Sequence, residues 1–211
     1  MREMDPDGTV SSRMDRKCAD QYTPLGESYL RDHTVGELRP RSGPIRIVNY
    51  DPEWPKSFER EAERIRKALG RRALRIEHVG STSVPELPAK PIIDIVLVVA
   101  ESDNESTYTP ALEAAGYHLR VREPDWYEHR LLKRPPGDSV NLHVFSSGCP
   151  EIERMVRFRD WLRTNKGDRE RYAQTKRALA ERQSKYTQNY ADAKSAVIAE
   201  IMSRALGPAA T

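Results

Sequence analysis

From residue 45 onward the apolar positions of this chain follow regular periods. Ile45-Arg-Ile-Val-Asn-Tyr50 alternates apolar and polar residues, the period of a short strand. Trp54, Phe58, Ala62, Ile65 and Leu69 then recur at spacings of four, four, three and four, which places them on one face of a helix. Asp51 offers that helix an N-cap, Pro52 suits its first turn and Gly70 closes it. Leu74-Arg-Ile-Glu-His-Val79 predicts a strand running into Gly80-Ser-Thr-Ser83. Pro91-Ile-Ile-Asp-Ile-Val-Leu-Val-Val99 is apolar at both parities, the mark of a central strand covered on both faces. A helix around Thr109–Ala115, ended by Gly116, precedes strands at Tyr117–Val121, Tyr127–Lys133 and Ser139–Phe145. Arg-Pro-Pro-Gly-Asp joins the last two and predicts a hairpin.

Beyond Pro150 the pattern turns helical. Ile152, Met155, Val156 and Trp161 open one helix; Asp168 suits the cap of a second that carries Tyr172, Leu179 and Tyr186. Asn189 with Asp192 three residues on resembles a capping arrangement for a third, ending at Gly207. Residues 1–43 have no sustained apolar period and mix both charges with Gly, Pro and Ser, so they predict a tail that is mobile or loosely docked, and Met14 is an alternative start. Residues 44–207 then form an α/β or α+β domain: a mixed β-sheet with flanking helices and a helical C-terminal portion.

Composition narrows the class. Hydrophobic residues make up 37% and charged residues 32%, and 35 basic against 32 acidic side chains leave a net charge of +3. That balance argues against a dedicated nucleic-acid binder. The longest apolar stretch, Ile92–Ala100, is broken by Asp94 and falls short of the ~20 residues a membrane span needs. No basic segment followed by an apolar core opens the chain, so no secretory signal is expected. Cys18 and Cys149 make neither a disulfide framework nor a zinc cluster. A cytoplasmic protein is the expectation; the oligomeric state is not legible.

The chemistry concentrates in Glu77-His-Val-Gly-Ser-Thr-Ser-Val-Pro-Glu-Leu-Pro-Ala-Lys-Pro-Ile-Ile-Asp94. A strand ending in Gly80, Ser81, Thr82 and Ser83 offers backbone N–H groups and hydroxyls to a phosphate, and Gly80 permits close approach. Asp94 sits within a buried strand, where a carboxylate needs a metal, a cation or several donors. Cradle and carboxylate together suit a Mg²⁺–nucleotide site. Equally, Gly-Ser-Thr-Ser is ordinary loop composition and a strand aspartate can accept backbone N–H bonds; on spacing alone this plainer alternative stands slightly ahead.

Several ordered blocks tip the balance. Val48-Asn-Tyr-Asp-Pro-Glu-Trp54, His78-Val-Gly-Ser-Thr-Ser-Val-Pro85, Ala89-Lys-Pro-Ile-Ile-Asp-Ile95 and Asn141-Leu-His-Val144 resemble the GrpB-like family, as do Arg157-Phe-Arg-Asp160 and Tyr190-Ala-Asp-Ala-Lys194. The resemblance spans roughly residues 45–202 and implies the nucleotidyltransferase fold of the DNA polymerase β superfamily. It implies the fold more strongly than an activity. In that superfamily a Gly-Ser pair precedes two strand carboxylates two residues apart, which share one face and the same metals. Gly80 and Ser81 match the pair and Asp94 the first carboxylate, but Val96 stands at the second position.

On the strand Val140–Phe145 the parity opposite the apolar one carries Asn141 and His143. His143 is a candidate nitrogen ligand or general base, with a hydrogen-bonded sheet histidine about as good a reading. Glu77 and His78 point to opposite faces, so at most one enters the site. Lys90, Arg130, Lys133 and Lys194 are candidates for neutralising a triphosphate. Arg130 and Lys133 have opposite parity, so both face a ligand only across a bulge.

The resemblance therefore implies an enzyme that uses ATP or another nucleoside triphosphate with Mg²⁺, and a small-molecule acceptor that attacks the α-phosphorus. An ATP-dependent amide-forming ligase, a non-catalytic nucleotide- or cofactor-binding module and a plain interaction protein are the alternatives.

Overall fold

A computed structural model of the chain describes residues 26–40, 43–134, 139–181, 186, 190–191 and 193–207. The elements are α1 (Glu27–His33), α2 (Trp54–Leu69), β1 (Arg75–Val79), β2 (Ile93–Val99), α3 (Thr109–Ala114), β3 (His118–Glu123), β4 (His129–Arg134), β5 (Val140–Ser146), α4 (Pro150–Thr164), α5 (Lys166–Glu181) and α6 (Ser195–Leu206). The five strands form one mixed sheet in the order β1-β2-β5-β4-β3. The β2–β5 pair is parallel and the other pairs are antiparallel. The β4–β5 hairpin forms as its turn residues predict, with Arg134 opposite Val140.

Residues of one parity on each strand face one helical layer. Ile93, Ile95, Leu97, Val99, Leu132, Leu142 and Val144 pack with Trp54, Ile65 and Leu69 of α2 and Leu112 of α3. Each such buried side chain contributes about 1.5–3 kcal/mol. Truncating Ile65, fully buried at the centre of the α2 face, to alanine would cost about 2–5 kcal/mol. The other parity, Val79, Val96, Val98 and Phe145, packs with Trp126 and with Ile152, Met155 and Val156 of α4. Gly70 ends α2 with φ +56°, a conformation that favours a residue without Cβ.

Three local expectations are corrected. Ile45–Tyr50 forms no strand; Val48 makes a single bridge to Ala89, because the run has no neighbour long enough to ladder with. Part of the predicted tail is structured: Leu30 of α1 is buried, and the Val35 N–H donates to the Arg120 carbonyl at 2.8 Å. One buried leucine and a short backbone pairing are too little to show as a period. Residues 1–25 lie outside the described residues. Asp168 is not the cap of α5; the Asn165 side chain accepts its backbone N–H at 3.0 Å. Asp168 instead accepts bonds from Trp161 and Arg204. Asn189 and Asp192 lie outside the described residues.

Candidate functional site

Asp94 is the second residue of β2. Its register neighbours are Val79 on β1 and Asn141 on β5, and Asn141 is in turn opposite Lys133 on β4. The row falls near the end of the sheet where β1 gives way to Gly80. Gly80 has φ +69°, and a Cβ added there would collide with Asp94 Oδ2. The sequence assigned that open space to an incoming ligand. The structure fills it with the protein's own carboxylate, so Gly80 is required by Asp94.

The Asp94 side chain keeps 28% of its surface accessible. Its Oδ1 accepts the Asn141 Nδ2–H at 2.8 Å and lies 3.8 Å from His143 Nε2. Burial alone would raise the Asp94 pKa; His143, the Asn141 amide and the more distant Lys194 outweigh it and hold the carboxyl below its usual value. Asn141 Oδ1, by contrast, is buried with no hydrogen-bond partner.

Ser81–Ser83 form one turn of 3₁₀-helix. The Ser83 hydroxyl donates to the Gly80 carbonyl at 2.5 Å and the Thr82 hydroxyl to the Ile92 carbonyl at 3.2 Å. Both residues are buried. Thr82 and Ser83 therefore brace the turn with their hydroxyls, and Ser81 is the residue of the three left partly exposed. His78 faces the opposite side of the sheet, stacked on Phe58 at 4.7 Å and within 3.1 Å of the Thr82 hydroxyl. Burial pushes its pKa down to about 4, with Asp94 opposing, so it is neutral at pH 7. Glu77 accepts from Arg159 at 2.7 Å and Arg75 at 2.9 Å. Neither residue enters the site.

The basic candidates divide. Lys90 and Lys194 converge on one ring: their Nζ atoms lie 4.2 and 5.1 Å from the Tyr190 centroid. Lys176 joins them, 4.8 Å from the centroid of Tyr172 and donating to the Pro88 carbonyl, with 2% of its surface accessible. Burial and the Lys194 and Arg177 charges push its pKa down to about 6. Tyr172, Tyr190 and Asp94 outweigh burial at Lys194 and hold it charged. Among the described residues neither Lys176 nor Lys194 is ion-paired with a carboxylate. Lys133 lies on the Asp94 face. Arg130 does not: it projects from the other face, bound to Glu105 at 2.7 Å, as strand parity requires.

Lys176 was missed because a lysine on a charged helix reads as a solvated face. Glu123 and His129, which support His143, were also missed; pairing the predicted hairpin would have put His129 and His143 on one face. An open cleft of about 530 Å³ borders the Lys176 surroundings, between Tyr50, Glu86 and Pro88 and the α5 residues Arg169 and Arg177.

A superfamily-type pair of metals does not fit this donor set. Val96, at the second carboxylate position, is fully buried against α4, and no three His, Cys, Asp or Glu side chains converge on a metal position among the described residues. One Mg²⁺ does fit. Asp94 supplies an ionised oxygen, and the unpartnered Asn141 carbonyl can accept from a metal-bound water. Mg²⁺ commonly takes one or two protein carboxylates and completes its shell with phosphate and water.

Fold and site together define a mixed α/β protein with a single-carboxylate centre at the end of a five-stranded sheet. The model of the GrpB protein family matches residues 44–204, and the chain belongs to that family. A UPF0157 protein of Halalkalibacterium halodurans is 58% identical over 90% of this chain and 96% of its own length. The crystal structure of the conserved protein GrpB from Enterococcus faecalis superposes with TM-score 0.68 at 32% identity, covering 76% of this chain and 97% of that one. A structure of the Cid1 poly(U) polymerase bound to MgATP matches with TM-score 0.41 at 12% identity, over 62% of this chain and 45% of that one. No described helix is long and apolar enough to cross a membrane.

Proposed function

We propose that this chain binds a nucleoside triphosphate, ATP or another, with one Mg²⁺, and transfers its nucleotidyl group to a small-molecule acceptor. The observation that carries the reading is the charge pattern. An ionised Asp94 stands at the Gly80 turn, and Lys194, held charged and without a carboxylate partner among the described residues, is the cation whose charge couples to it, with the buried Lys176 amine beside Lys194 ready to take up a proton when a phosphate binds. A magnesium-bound polyphosphate complements both halves of that pattern. The backbone of the Gly80–Ser83 turn, the Ser81 hydroxyl, Lys90, Lys176 and Lys194 hold the phosphates, and Asp94 holds the metal. Lys133 stands on the same face for the acceptor side.

In the reaction the acceptor's oxygen or nitrogen forms a bond to the α-phosphorus. The bond from that phosphorus to the bridging oxygen breaks, and pyrophosphate leaves with the electron pair. The acceptor's proton goes to His143 Nε2. If the acceptor is a carboxylate, no proton moves in this step; an amine then attacks the carbonyl carbon of the acyl adenylate, the bond from that carbon to the phosphate oxygen breaks, AMP leaves with the electron pair, and the amine's proton goes to His143 Nε2. Mg²⁺ supplies charge neutralisation on the phosphates.

The buried Val96 favours a second reading, a module that binds nucleotide without chemistry. Calorimetry with ATP, with and without Mg²⁺, and a pyrophosphate-release screen across acceptors test both. Magnesium-dependent binding and release that vanish in Asp94→Asn support the enzyme. Tight binding indifferent to Mg²⁺ and to that substitution supports the module, and no nucleotide binding refutes both.

A further inference from the structure

The open cleft of about 530 Å³ beside Pro88 has the size of a small-molecule site, roughly 300–1,000 Å³. One wall is α5, where Arg169, Ala173 and Arg177 recur every four residues and so share one face. The buried Ala173 leaves a small apolar floor between the two guanidinium-bearing positions. Across from it stand Pro88 and Tyr50, whose ring is held edge-on by Trp54 at 5.4 Å. A flat apolar body suits such walls.

The charges are placed for an anion. Arg169 keeps only 13% of its side-chain surface accessible. Its Nη1 donates to the Leu162 carbonyl at 3.1 Å and the Arg163 carbonyl at 3.2 Å, near the C-terminal end of α4, which fixes the plane of the guanidinium. Nη2 donates to Glu86 Oε2 at 2.9 Å, and Nε has no acceptor among the described residues. The Nε–Nη2 edge can hold a carboxylate or phosphate through two parallel bonds, and here it is half used. Its present partner, Glu86, is 76% accessible and sits at φ +65°, a backbone conformation that a residue with a Cβ adopts at a cost. So exposed a carboxylate is weakly held. The other acid of the cleft, Glu170, is engaged by Lys166 at 3.7 Å. Arg177 has no hydrogen-bond or ion-pair partner among the described residues.

We propose that this cleft binds a small anion with a flat apolar body, a carboxylic acid or a phosphate monoester, and that Glu86 is a placeholder for its charged group. The anion takes the Nε–Nη2 edge of Arg169 and Glu86 turns out to solvent. The body lies over Ala173 against Tyr50, and Arg177 adds its charge. The inference does not rest on the nucleotidyl-transfer reading, because neither Asp94, His143 nor the Gly80–Ser83 turn lines the cleft.

The test is a titration of the full chain with benzoate and with phenyl phosphate. It is read at the Ala173 methyl signal of alanine-labelled protein, assigned by its loss in Ala173→Gly. Both probes are expected to shift that signal saturably, the tighter of the two naming the head group. Benzyl alcohol, of similar shape without the charge, is expected to leave the signal in place. Arg177→Gln should weaken both probes about tenfold, the effect of losing one charge-assisted contact. Glu86→Gln should tighten them about 2–5-fold, because the competing ion pair is gone; a glutamate that only braced the cleft would give the opposite sign. Weaker binding in a folded Glu86→Gln therefore overturns the proposal. So do affinities indifferent to Arg177→Gln, benzyl alcohol binding as well as benzoate, or an Ala173 signal that neither probe moves at ~10 mM, a concentration at which molecules this small should bind.

Discussion

Replacing Lys176 with methionine should stabilise the fold and weaken the site. Lys176 is 2% accessible and its pKa is pushed down to about 6 from an ordinary 10.5, first by burial and then by Lys194 and Arg177. At pH 7 it folds as a neutral amine, which costs about 5 kcal/mol relative to the unfolded chain. Methionine fills a similar volume and carries no such cost, but it leaves the Pro88 carbonyl, which Lys176 now serves, without its donor, a loss of about 1–3 kcal/mol. The net expectation for Lys176→Met at pH 7 is a gain of about 3 kcal/mol. The sign with pH is set by proton counts. Between pH 6 and 10.5 the unfolded chain holds a proton that the folded chain has given up, so wild-type stability rises with pH through this group. The gap between variant and wild type should therefore shrink by about 1.4 kcal/mol per pH unit between pH 7 and 9. Urea unfolding of both proteins at three pH values measures it. Binding of inorganic tripolyphosphate, followed by calorimetry, should fall in the variant and should weaken in the wild type as pH rises. A gap that is constant with pH, or a variant less stable than wild type at pH 6.5, would refute the assignment of a buried, partner-poor lysine.

Gly80→Ala meets both a positive φ and the Asp94 carboxylate, so denaturant unfolding should show a loss of about 2–4 kcal/mol, accompanied by loss of magnesium-dependent nucleotide heat. Glu61, buried on α2, accepts from Arg134 at 2.6 and 2.8 Å and from Tyr117 at 2.6 Å. Burial alone would raise its pKa, and those bonds hold it lower instead. Its stabilisation is thus present above the ordinary carboxyl pKa and lost as pH falls through the folded value. Glu61→Gln should cost about 3–5 kcal/mol at pH 7 and flatten the acid limb of a stability–pH curve. Val96→Asp places a second carboxylate two residues from Asp94 at a position with no accessible surface. It should cost several kcal/mol, on the order of the 2–7 kcal/mol for burying an unpaired polar group, and should raise neither metal affinity nor pyrophosphate release.

The central strand β2 was readable because it is a long apolar run, β3 and β5 because apolar and polar residues alternate along them, and α2 because five apolar positions recur at helical spacing. Parity on those strands also correctly separated Arg130 from Lys133 and Glu77 from His78. What stayed hidden depends on contacts between distant segments. Nothing in the run Gly80-Ser-Thr-Ser83 says that two of its hydroxyls turn inward to the Gly80 and Ile92 carbonyls. Nor does the sequence around Lys176 distinguish a solvated lysine from one enclosed by Tyr172 and Pro88, eighty-eight residues away. Asp94 could be recognised as a carboxylate in need of a partner. Its actual partners, Asn141 and His143, come from a strand brought alongside by a parallel pairing that no local pattern encodes.

The parallel pairing also decides what stands beside Asp94 on its face of the sheet. Val96 and His143 are register partners on β2 and β5. The helix α4 covers this face and takes Val96 into its core, so a second acid there would have to be buried without a counter-ion. His143 starts one strand over, its ring reaches back to within 3.8 Å of Asp94, and its far nitrogen is tied to buried partners. The register thus sets an imidazole, not a second carboxylate, beside Asp94 at this edge of the sheet. Under the function proposed above, such a site would recruit its cation together with the phosphates that complete the coordination shell, because one carboxylate offers too few oxygens to hold it alone.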